Sequence, residues 1–277
     1  MFMRYFVKNN KIIFERNDDF DAKSILECGQ LFRYFKTDKG YDVITGDKLA
    51  SVYEENGSVV IESESPEVFI EYFDLNTDYS EIKKELEKYD FLKEPIKKGK
   101  GIRIVKANPE ETILQFIISQ NNNIKRIQKI IERLSEIGKP INEKYRAFPS
   151  CKELSKMPRS FFEGLGAGYR AGYLEEVSKV LADINLEEKK LLNDDELYEW
   201  LLSLKGVGPK VASCIMLFGF NRSACFPVDT WIEKVYRTYF YEGEKTRPQI
   251  SKFLQNKFGA MSGITQQYLF YYIREQS

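Results

Sequence analysis

The spacing of apolar residues changes near Pro66, and this change constrains the fold more than any other feature of the chain. Before it, short apolar runs alternate with turn residues, as in KIIFE, LFRYF, YDVI, ASVYEE and SVVIES. The last two runs are separated by Asn56-Gly57, and Asn-Gly between two alternating segments is typical of a tight β-hairpin. We therefore predict an antiparallel sheet that extends to about Ser63.

Beyond Pro66 the apolar residues recur every three or four positions, which is typical of amphipathic helices. Segment 93–104, KEPIKKGKGIRI, interrupts this pattern and is interpreted as a basic, glycine-containing connection. After Asn108-Pro109 the helical spacing continues almost to the end of the chain. The predicted fold class is α+β, with a β-rich N-terminal domain at residues 1–106 and an all-helical domain at residues 107–277.

Histidine is absent from the 277 residues, which excludes catalysis and zinc binding that depend on imidazole. The four cysteines are widely separated and form no C-x-x-C pair, so neither a zinc site nor an iron–sulfur cluster is expected. Any catalysis would therefore use lysine, cysteine, tyrosine or carboxylate side chains, and we expect no cofactor and no metal held by side chains.

Basic and acidic side chains number 42 each, so the formal net charge is +0. A neutral total removes the simplest argument for a nucleic-acid-binding protein, although it is compatible with a locally basic face. The initial segment MFMRYFVKNN is too short and mixed for a signal peptide, and no run of 18 apolar residues is present. We expect a cytoplasmic protein without a membrane partner.

The stretch GVGPKVASC joins two predicted helices through two closely spaced glycines, which indicates a helix-hairpin-helix at about residues 195–220. Gly206 and Gly208 permit backbone conformations and close approaches that other residues do not. Amides at the start of the second helix attract phosphate, so a chain without net positive charge can still hold a DNA backbone in this way. The glycines alone do not distinguish this function from an ordinary helical hairpin.

Lys210 falls in the first turn of the second helix, where the positive helix end and an apolar pocket would disfavour its ammonium form. A lysine that has lost its proton is an amine nucleophile. Asp229, at the end of the Pro-Val-Asp loop 227–229, follows 19 residues later, which corresponds to one helix and a return loop. Asp229 is interpreted either as the N-cap of the next helix or as a carboxylate that faces the amine across a cleft.

LKGVGPKVASCIMLF followed by FPVDTW resembles the helix-hairpin-helix and Gly/Pro-Asp signature of base-excision DNA glycosylases. In that superfamily a lysine at this position marks members that also cut the strand. No cysteine follows Cys225, so the iron–sulfur branch is not indicated. Four further stretches, ECGQLFRY, ISQNNNIKRI, LGAGYRAGY and GITQQYLF, resemble the 8-oxoguanine DNA glycosylase/lyase family of the eukaryotic type. The resemblance covers nearly the whole chain and implies a helix-hairpin-helix glycosylase core behind a sheet domain.

The resemblance implies a Schiff-base mechanism. Lys210 would attack C1′ of the damaged nucleotide, and Asp229 would stabilise the charge that develops on the sugar. Cys214 follows Lys210 by four residues on the same helical face, so a pair of a thiolate and an ammonium is a further expectation.

The same resemblance implies a base-binding pocket. Gly29 would offer its carbonyl to the N7 hydrogen that 8-oxoguanine has and guanine lacks, and Gln266 would bind the Watson–Crick edge. Cys214 and Phe270 would sandwich the flipped base. Gln267 leaves a small ambiguity of register, which we resolve in favour of Gln266 because Phe270 then follows one helical turn later. Each of these residues also has a purely structural interpretation, as a strand bend for Gly29 and as core for Cys214 and Phe270.

Contacts with DNA are implied in the same way. Asn121 would fill the space that the flipped nucleotide vacates, Tyr169 would wedge beside the estranged base, and Arg126 and Arg170 would read the cytosine left behind. A basic rim that follows the phosphates is predicted from five side chains: Lys97, Lys98, Lys100, Lys125 and Arg126.

The hairpin residues Gly206, Val207 and Gly208 would grip the DNA backbone, and hairpin carbonyls would hold a monovalent cation. Trp231 departs from the animal enzymes, which have a phosphate-binding histidine two residues after the aspartate. In place of the histidine, the indole N–H of Trp231 could donate a hydrogen bond to a phosphate or to a backbone group.

The implied function is excision of 8-oxoguanine opposite cytosine from double-stranded DNA, by a monomer that associates with the nucleoid if its source is prokaryotic. Three alternatives remain open from the residues themselves. They are a glycosylase for another damaged base, such as an alkylated one, a non-catalytic DNA-binding hairpin module, and a helical scaffold without either function.

Overall fold

The computed structural model describes residues 3–276, and its N-terminal part is a six-stranded antiparallel sheet with strand order β1-β2-β6-β5-β4-β3. The strands are β1 (Tyr5–Lys8), β2 (Lys11–Glu15), β3 (Tyr34–Lys36), β4 (Gly40–Thr45), β5 (Lys48–Glu55) and β6 (Ser58–Glu62). The predicted antiparallel sheet is confirmed. The first strand was not predicted, and the strand expected over LFRYF is reduced to three residues.

Tight turns in the left-handed backbone region connect two of the hairpins, β5–β6 and β1–β2. Asn56 and Gly57 have φ of 50° and 79°, and they join β5 to β6 where Glu55 pairs with Ser58. Asn9 and Asn10 have φ of 50° and 61° and join β1 to β2 in the same manner. Asparagine tolerates this region better than most residues, so both turns follow from local chemistry.

Fifteen α-helices lie in the described part of the chain. They are α1 (Ala22–Glu27), α2 (Pro66–Tyr72), α3 (Tyr79–Leu86), α4 (Asp90–Lys98), α5 (Pro109–Ser119), α6 (Ile124–Ser135), α7 (Cys151–Leu154), α8 (Arg159–Gly164), α9 (Ala171–Ala182), α10 (Leu186–Lys189), α11 (Asp194–Ser203), α12 (Pro209–Phe218), α13 (Thr230–Tyr239), α14 (Arg247–Phe258) and α15 (Ser262–Glu275). None of them is long and apolar enough to cross a membrane within residues 3–276.

The predicted connection at residues 93–104 is wrong in its first half, because α4 continues to Lys98. Leu92 and Ile96 of this helix are buried, and the packing of α4 against α15 overrides the poor helix propensity of Pro95. The helix ends at Gly99, whose amide donates to the Pro95 carbonyl. Tertiary packing, which the local pattern does not contain, therefore determines this segment.

Three buried clusters hold the protein together. One lies between the sheet and α1 and α2, a second fills the bundle from α5 to α12, and a third joins α3 and α4 to the helices α13 to α15. The third cluster brings residues before the predicted boundary at 106/107 into the helical part of the molecule. That boundary stays a prediction.

A buried ion cluster connects the sheet to the helical bundle. Arg33 precedes β3 and lies 3.9 Å from Glu111 of α5 and 3.4 Å from Glu132 of α6. The other Glu111 oxygen accepts a hydrogen bond of 2.7 Å from the Gly46 amide. Burial raises the pKa of Glu111 from its usual 4.5 to about 7, and Arg33 offsets only part of this effect.

We expect this carboxyl group to make the protein less stable as the pH rises from 4.5 to about 7. The folded state holds the proton of Glu111 more tightly than the unfolded state, so its contribution is fully present below pH 4.5 and is lost above the folded pKa. The contribution is up to about 3 kcal/mol, since each pKa unit corresponds to 1.36 kcal/mol. Denaturant unfolding at several pH values should show the slope, and Glu111→Gln should flatten it. An unchanged slope in the variant would contradict the assignment.

Candidate functional site

The predicted helix-hairpin-helix is formed by α11, α12 and the glycine turn between them. Gly206 has a φ of 81°, and a Cβ at this position would overlap the ring of Tyr173. Gly208 caps α12 with a φ of −99°, and a Cβ there would meet nothing within 4 Å. Gly206 is therefore required by the fold, whereas the folded chain gives no reason for a glycine at Gly208. Open space at Gly208 fits a close approach of a ligand to the backbone.

Replacement of the two glycines by alanine should separate these roles. We expect Gly206→Ala to destabilise the fold by about 2 kcal/mol, because the positive φ and the Tyr173 ring both oppose a side chain. Gly208→Ala should unfold at the parent temperature but bind duplex DNA more weakly. Thermal unfolding and fluorescence anisotropy measure the two effects. Parent-level DNA affinity in Gly208→Ala would contradict a backbone contact at this position.

Lys210 lies in the first turn of α12 and its Nζ is 5.4 Å from the ring centroid of Phe116. Cys214, one turn later, is buried. Burial raises the pKa of the Cys214 thiol above its usual value, and the neighbouring Lys210 offsets only part of the increase. The residue is therefore a neutral thiol at pH 7, and the expected thiolate in a pair with Lys210 is wrong. The reason is that burial removes water from the thiolate form, and the nearby ammonium of Lys210 does not fully compensate for this loss.

The structure shows one of the two interpretations of Asp229 made from the sequence, the N-cap of α13, whereas a carboxylate that faces the amine of Lys210 stays a prediction. The Oδ1 of Asp229 accepts hydrogen bonds from the amides of Trp231 at 2.9 Å and Ile232 at 3.0 Å, and so caps α13. Its carboxylate also raises the pKa of Cys214, which Lys210 lowers. Lys210 and Asp229 thus both act on the same buried thiol, and the cap engages only one of the two carboxylate oxygens.

Gly29 lies beside Phe270, as the predicted pocket requires. A Cβ at Gly29 would lie 3.5 Å from Cε1 of Phe270 and 3.2 Å from Nη1 of Arg274. The φ of Gly29 is 92°, a conformation that disfavours a side chain at this position. α15 therefore brings the predicted stacking ring to the predicted recognition residue, although 241 positions separate the two residues in the sequence.

The two adjacent glutamines have different surroundings. Gln267 donates a hydrogen bond of 3.2 Å to the carbonyl of Cys28 and is part of the structure. Gln266 is 5% exposed, and its Oε1 has no hydrogen-bond partner among the described residues. A buried acceptor without a partner is costly unless a ligand satisfies it. This difference supports Gln266 as the residue that binds the base.

The residues predicted to contact the DNA strand opposite the lesion lie around the turn between α5 and α6. Asn121 has a φ of 45° at this turn, and Tyr169 is 52% exposed nearby. Arg170 is 3% exposed and donates to the carbonyls of Gln120 and Asn121. Arg170 thus holds the Asn121 turn in this conformation, and its donors face protein carbonyls. Arg126 is exposed and donates to the Gly166 carbonyl at 3.1 Å.

The predicted basic rim is partly neutralised. Lys100 forms a 2.6 Å ion pair with Asp18, and Lys97 lies 3.7 Å from Glu94. Exposed pairs of this kind contribute little to stability, but they cancel the charge that would attract phosphate. Lys98 is exposed at the end of α4, whereas Lys125 and Arg126 are exposed in the first turn of α6, beside the Asn121 turn.

Hydrogen bonds within the protein already use some of the backbone groups that Trp231 and Val207 could offer to DNA. The amide of Trp231 is bound to Asp229, so its indole N–H is the remaining donor, and Lys234 Nζ lies 5.6 Å from its ring. The side chain of Val207 is buried and its amide donates to the Leu204 carbonyl at 3.0 Å. Val207 is left with its carbonyl for any external contact.

A cavity of about 480 Å³ lies between α11, α12 and α14, with Lys210 in its wall. Neither Gly29 nor Phe270 lines it, so it is separate from the predicted base pocket.

Within residues 3–276, no three His, Cys, Asp or Glu side chains are grouped closely enough to hold a metal ion.

Phe116 under Lys210 and Arg274 beside Gly29 were not predicted from the sequence, and Gln267 was considered only as an alternative base-binding residue, not as a partner of Cys28. Phe116 lies in an apolar helix where nothing distinguishes it from core. A glutamine and an arginine on the last helix have no local feature that indicates their contact with residue 28.

Two family descriptions match the chain, and together they cover residues 11–259. Residues 11–113 match the N-terminal domain of 8-oxoguanine DNA glycosylase, and residues 114–259 match the HhH-GPD superfamily of base excision DNA repair proteins.

Individual relatives agree with both descriptions. An 8-oxoguanine glycosylase/lyase of Clostridium acetobutylicum, solved with double-stranded DNA that contains cytosine opposite 8-oxoguanine, is 40% identical, with a TM-score of 0.91 and 99% of each chain covered. A probable N-glycosylase/DNA lyase of Methanothermobacter thermautotrophicus is 31% identical over 74% of each chain. An N-glycosylase/DNA lyase of Arabidopsis thaliana is 28% identical over 87% of this chain and 74% of its own. The chain therefore belongs to the 8-oxoguanine DNA glycosylase family of the HhH-GPD superfamily.

Proposed function

We propose that this protein removes 8-oxoguanine from duplex DNA and then cleaves the strand, as a bifunctional glycosylase and lyase of base-excision repair. The observation that carries the proposal is the placement of Lys210 in the first turn of α12, in the wall of a cavity that is also lined by Val228, the neighbour of Asp229. A nucleophile and a carboxylate that share such surroundings are the two groups that the reaction needs at the sugar. Membership of the family supports the choice of substrate.

Base removal begins with Lys210. Its nitrogen forms a bond to C1′ of the flipped nucleotide while the bond between C1′ and N9 breaks, and the base leaves with the electron pair and takes up a proton. Positive charge develops on the sugar during this step. The carboxylate of Asp229 stabilises this charge from a fixed position, which requires no reorganisation at the moment of reaction.

Strand cleavage uses the same lysine. The bond between C1′ and O4′ opens, O4′ becomes a hydroxyl, and a protonated imine joins Lys210 to C1′. The imine acidifies C2′, so transfer of a C2′ proton to a base expels the phosphate from C3′. Water then hydrolyses the imine and releases Lys210 in its original form.

Recognition of the base depends on hydrogen bonds that guanine cannot make. The carbonyl of Gly29 accepts the N7 hydrogen of 8-oxoguanine, whereas the N7 lone pair of guanine would face the same carbonyl and be repelled. The unpartnered Oε1 of Gln266 accepts from the Watson–Crick edge. Cys214, as a neutral thiol, and Phe270 then stack on the two faces of the base.

The hairpin holds the DNA backbone near the lesion. Gly208 leaves room for a phosphate, and the amides of Lys210 and Val211 lie in the first turn of α12, where amides have no partner within the helix. Carbonyls of the hairpin, including that of Val207, supply the oxygen ligands that a monovalent cation takes. Such a cation would add positive charge beside the phosphate.

Residues around the Asn121 turn act on the opposite strand. Asn121 enters the space left by the flipped nucleotide, and the exposed ring of Tyr169 wedges beside the estranged cytosine. Arg126 reaches that base directly. Arg170 contacts the base only after it releases the carbonyls of Gln120 and Asn121. In the protein without DNA, its role is to hold the Asn121 turn in shape.

A panel of duplexes tests the substrate. In single-turnover assays we expect the fastest base release from 8-oxoguanine opposite cytosine, slower release opposite adenine, and none from an alkylated adenine. An acceptor at Gly29 and a lysine nucleophile both favour this order. Faster release of the alkylated base would establish the alternative, a glycosylase for another lesion. Binding without any release would leave only a DNA-binding hairpin module.

The protein acts as a monomer in the cytoplasm, on the nucleoid if its source is prokaryotic. All four cysteines are free and buried, which fits a reducing compartment. A single species at 32.5 kDa in sedimentation experiments would agree with this proposal.

A further inference from the structure

The turn that presents Gly29 is anchored on one side by Gln30. We call residues 28–30 the recognition turn. The Gln30 carboxamide donates to the Arg103 carbonyl at 2.8 Å and accepts from the Val105 amide at 3.0 Å. Gln30 is 2% exposed, so these hydrogen bonds are shielded from water. The residue after Gly29 is therefore fixed by the segment that leads into α5.

The other side of the turn is anchored by α15. Nη1 of Arg274 donates to the Cys28 carbonyl at 3.2 Å, and Nη2 donates to the Glu27 carbonyl at 2.9 Å. These carbonyls end α1, where helical carbonyls lack partners and attract positive charge. The guanidinium carbon of Arg274 also lies 5.4 Å from the ring centroid of Phe270. One side chain thus touches the recognition turn and the predicted stacking ring.

Anchoring matters here because the middle residue is a glycine. Gly29 adopts positive and negative φ with similar ease, so nothing in its own chemistry maintains the φ of 92°. The Cys28 carbonyl belongs to the peptide plane that enters Gly29. Arg274 and Gln267 both donate to that oxygen and fix the peptide plane, and together with Gln30 they determine where the Gly29 carbonyl points.

We propose that Arg274 is a positioning and specificity residue, which keeps the Gly29 carbonyl directed at N7 of the base and so maintains the preference for 8-oxoguanine over guanine. This inference rests on the proposed function of the same pocket. Arg274 acts through the recognition turn and Phe270, and it makes no contact with Lys210 that would link it to the chemistry at the sugar.

Binding measurements separate this role from a general structural one. Lys210→Gln serves as the background, so that DNA remains uncut, and Arg274→Ala is added to it. Dissociation constants are measured for three duplexes, which carry 8-oxoguanine, guanine or a tetrahydrofuran abasic-site analogue opposite cytosine. We expect Arg274→Ala to weaken binding of the 8-oxoguanine duplex about 10-fold, because two charge-assisted hydrogen bonds are lost. Affinity for the other two duplexes should stay at the background level.

Equal weakening for all three duplexes, or no change for any of them, would overturn the inference. Arg16→Ala is the matched control, since Arg16 is an exposed arginine that pairs with Glu54 in the sheet. Arg274→Lys keeps the charge over Phe270 but only one donor group, so it should retain part of the preference even if the alanine variant is poorly folded. If the background protein itself does not prefer 8-oxoguanine to guanine, the proposed function fails and this inference fails with it.

Discussion

Lys210→Gln should lower the single-turnover rate of 8-oxoguanine release by about four orders of magnitude or more, a loss typical of removing a nucleophile. The side chain of glutamine is one atom shorter and its amide nitrogen has no basic lone pair, so no bond to C1′ forms. Strand cleavage should disappear as well, because it requires the imine. The fold should survive, since the change removes a contact of 5.4 Å with the Phe116 ring, which contributes about 1 kcal/mol, and an interaction with the neutral Cys214 thiol.

Lys179→Gln is a suitable control, because Lys179 is exposed on α9 and pairs with Glu175. It should release the base at the parent rate. The decisive comparison is between catalysis and binding. Lys210→Gln should still bind the lesion duplex tightly, and a variant that retained base release would show that another group attacks the sugar.

Asp229→Asn should reduce base release by about 100- to 1,000-fold, the range found when one electrostatic contact to a transition state is removed. Asparagine is as good an N-cap as aspartate, so the hydrogen bonds to the amides of Trp231 and Ile232 should persist. The substitution therefore removes the charge and keeps the cap. Stability should change by less than about 0.5 kcal/mol.

Asp229→Ala provides the contrast, because it removes both the cap and the charge. It should lose about 1 kcal/mol of stability in addition to the activity lost by Asp229→Asn. Thermal unfolding and single-turnover kinetics of both variants measure the two roles. If Asp229→Asn kept parent activity while Asp229→Ala lost it, the cap alone would explain the residue.

The sheet was predictable where its turns have a strong local preference. Asn56 and Gly57 take the left-handed conformations that Asn-Gly favours, and β5 and β6 pair around them. The Asn9-Asn10 turn obeys the same chemistry, but asparagine alone is a weaker signal than Asn-Gly, and β1 was missed. Local conformational preference therefore explains both the success and the omission.

The helices α4 and α14 differ in how far the local sequence pattern determines them. α4 contains Pro95 and is followed by Gly99, and only its packing against α15 makes it a helix. α14 lies within the region predicted to be helical, and Thr246 and Gln249 form a capping box at its start. Tertiary contact therefore decides α4, whereas local capping chemistry marks the start of α14.

The candidate site also contains residues that local motifs predict and residues that only long-range contacts bring to it. Lys210 and Asp229 belong to short motifs whose order along the chain carries the information. Arg274 reaches the recognition turn across 246 positions, and Gln267 reaches it across 239. No local property of an arginine or a glutamine on the last helix indicates such a contact. The supporting residues of the pocket therefore required the folded structure.

Borohydride trapping is the most direct test of the central claim, that Lys210 attacks the sugar of an 8-oxoguanine nucleotide. The parent protein is incubated with a duplex that carries one 8-oxoguanine opposite cytosine, and sodium borohydride reduces any imine to a stable covalent link. We expect a trapped complex with the parent and none with Lys210→Gln, with the link located at residue 210 by peptide mass spectrometry. A trapped complex at another residue, or none with a parent that still releases the base, would contradict the account.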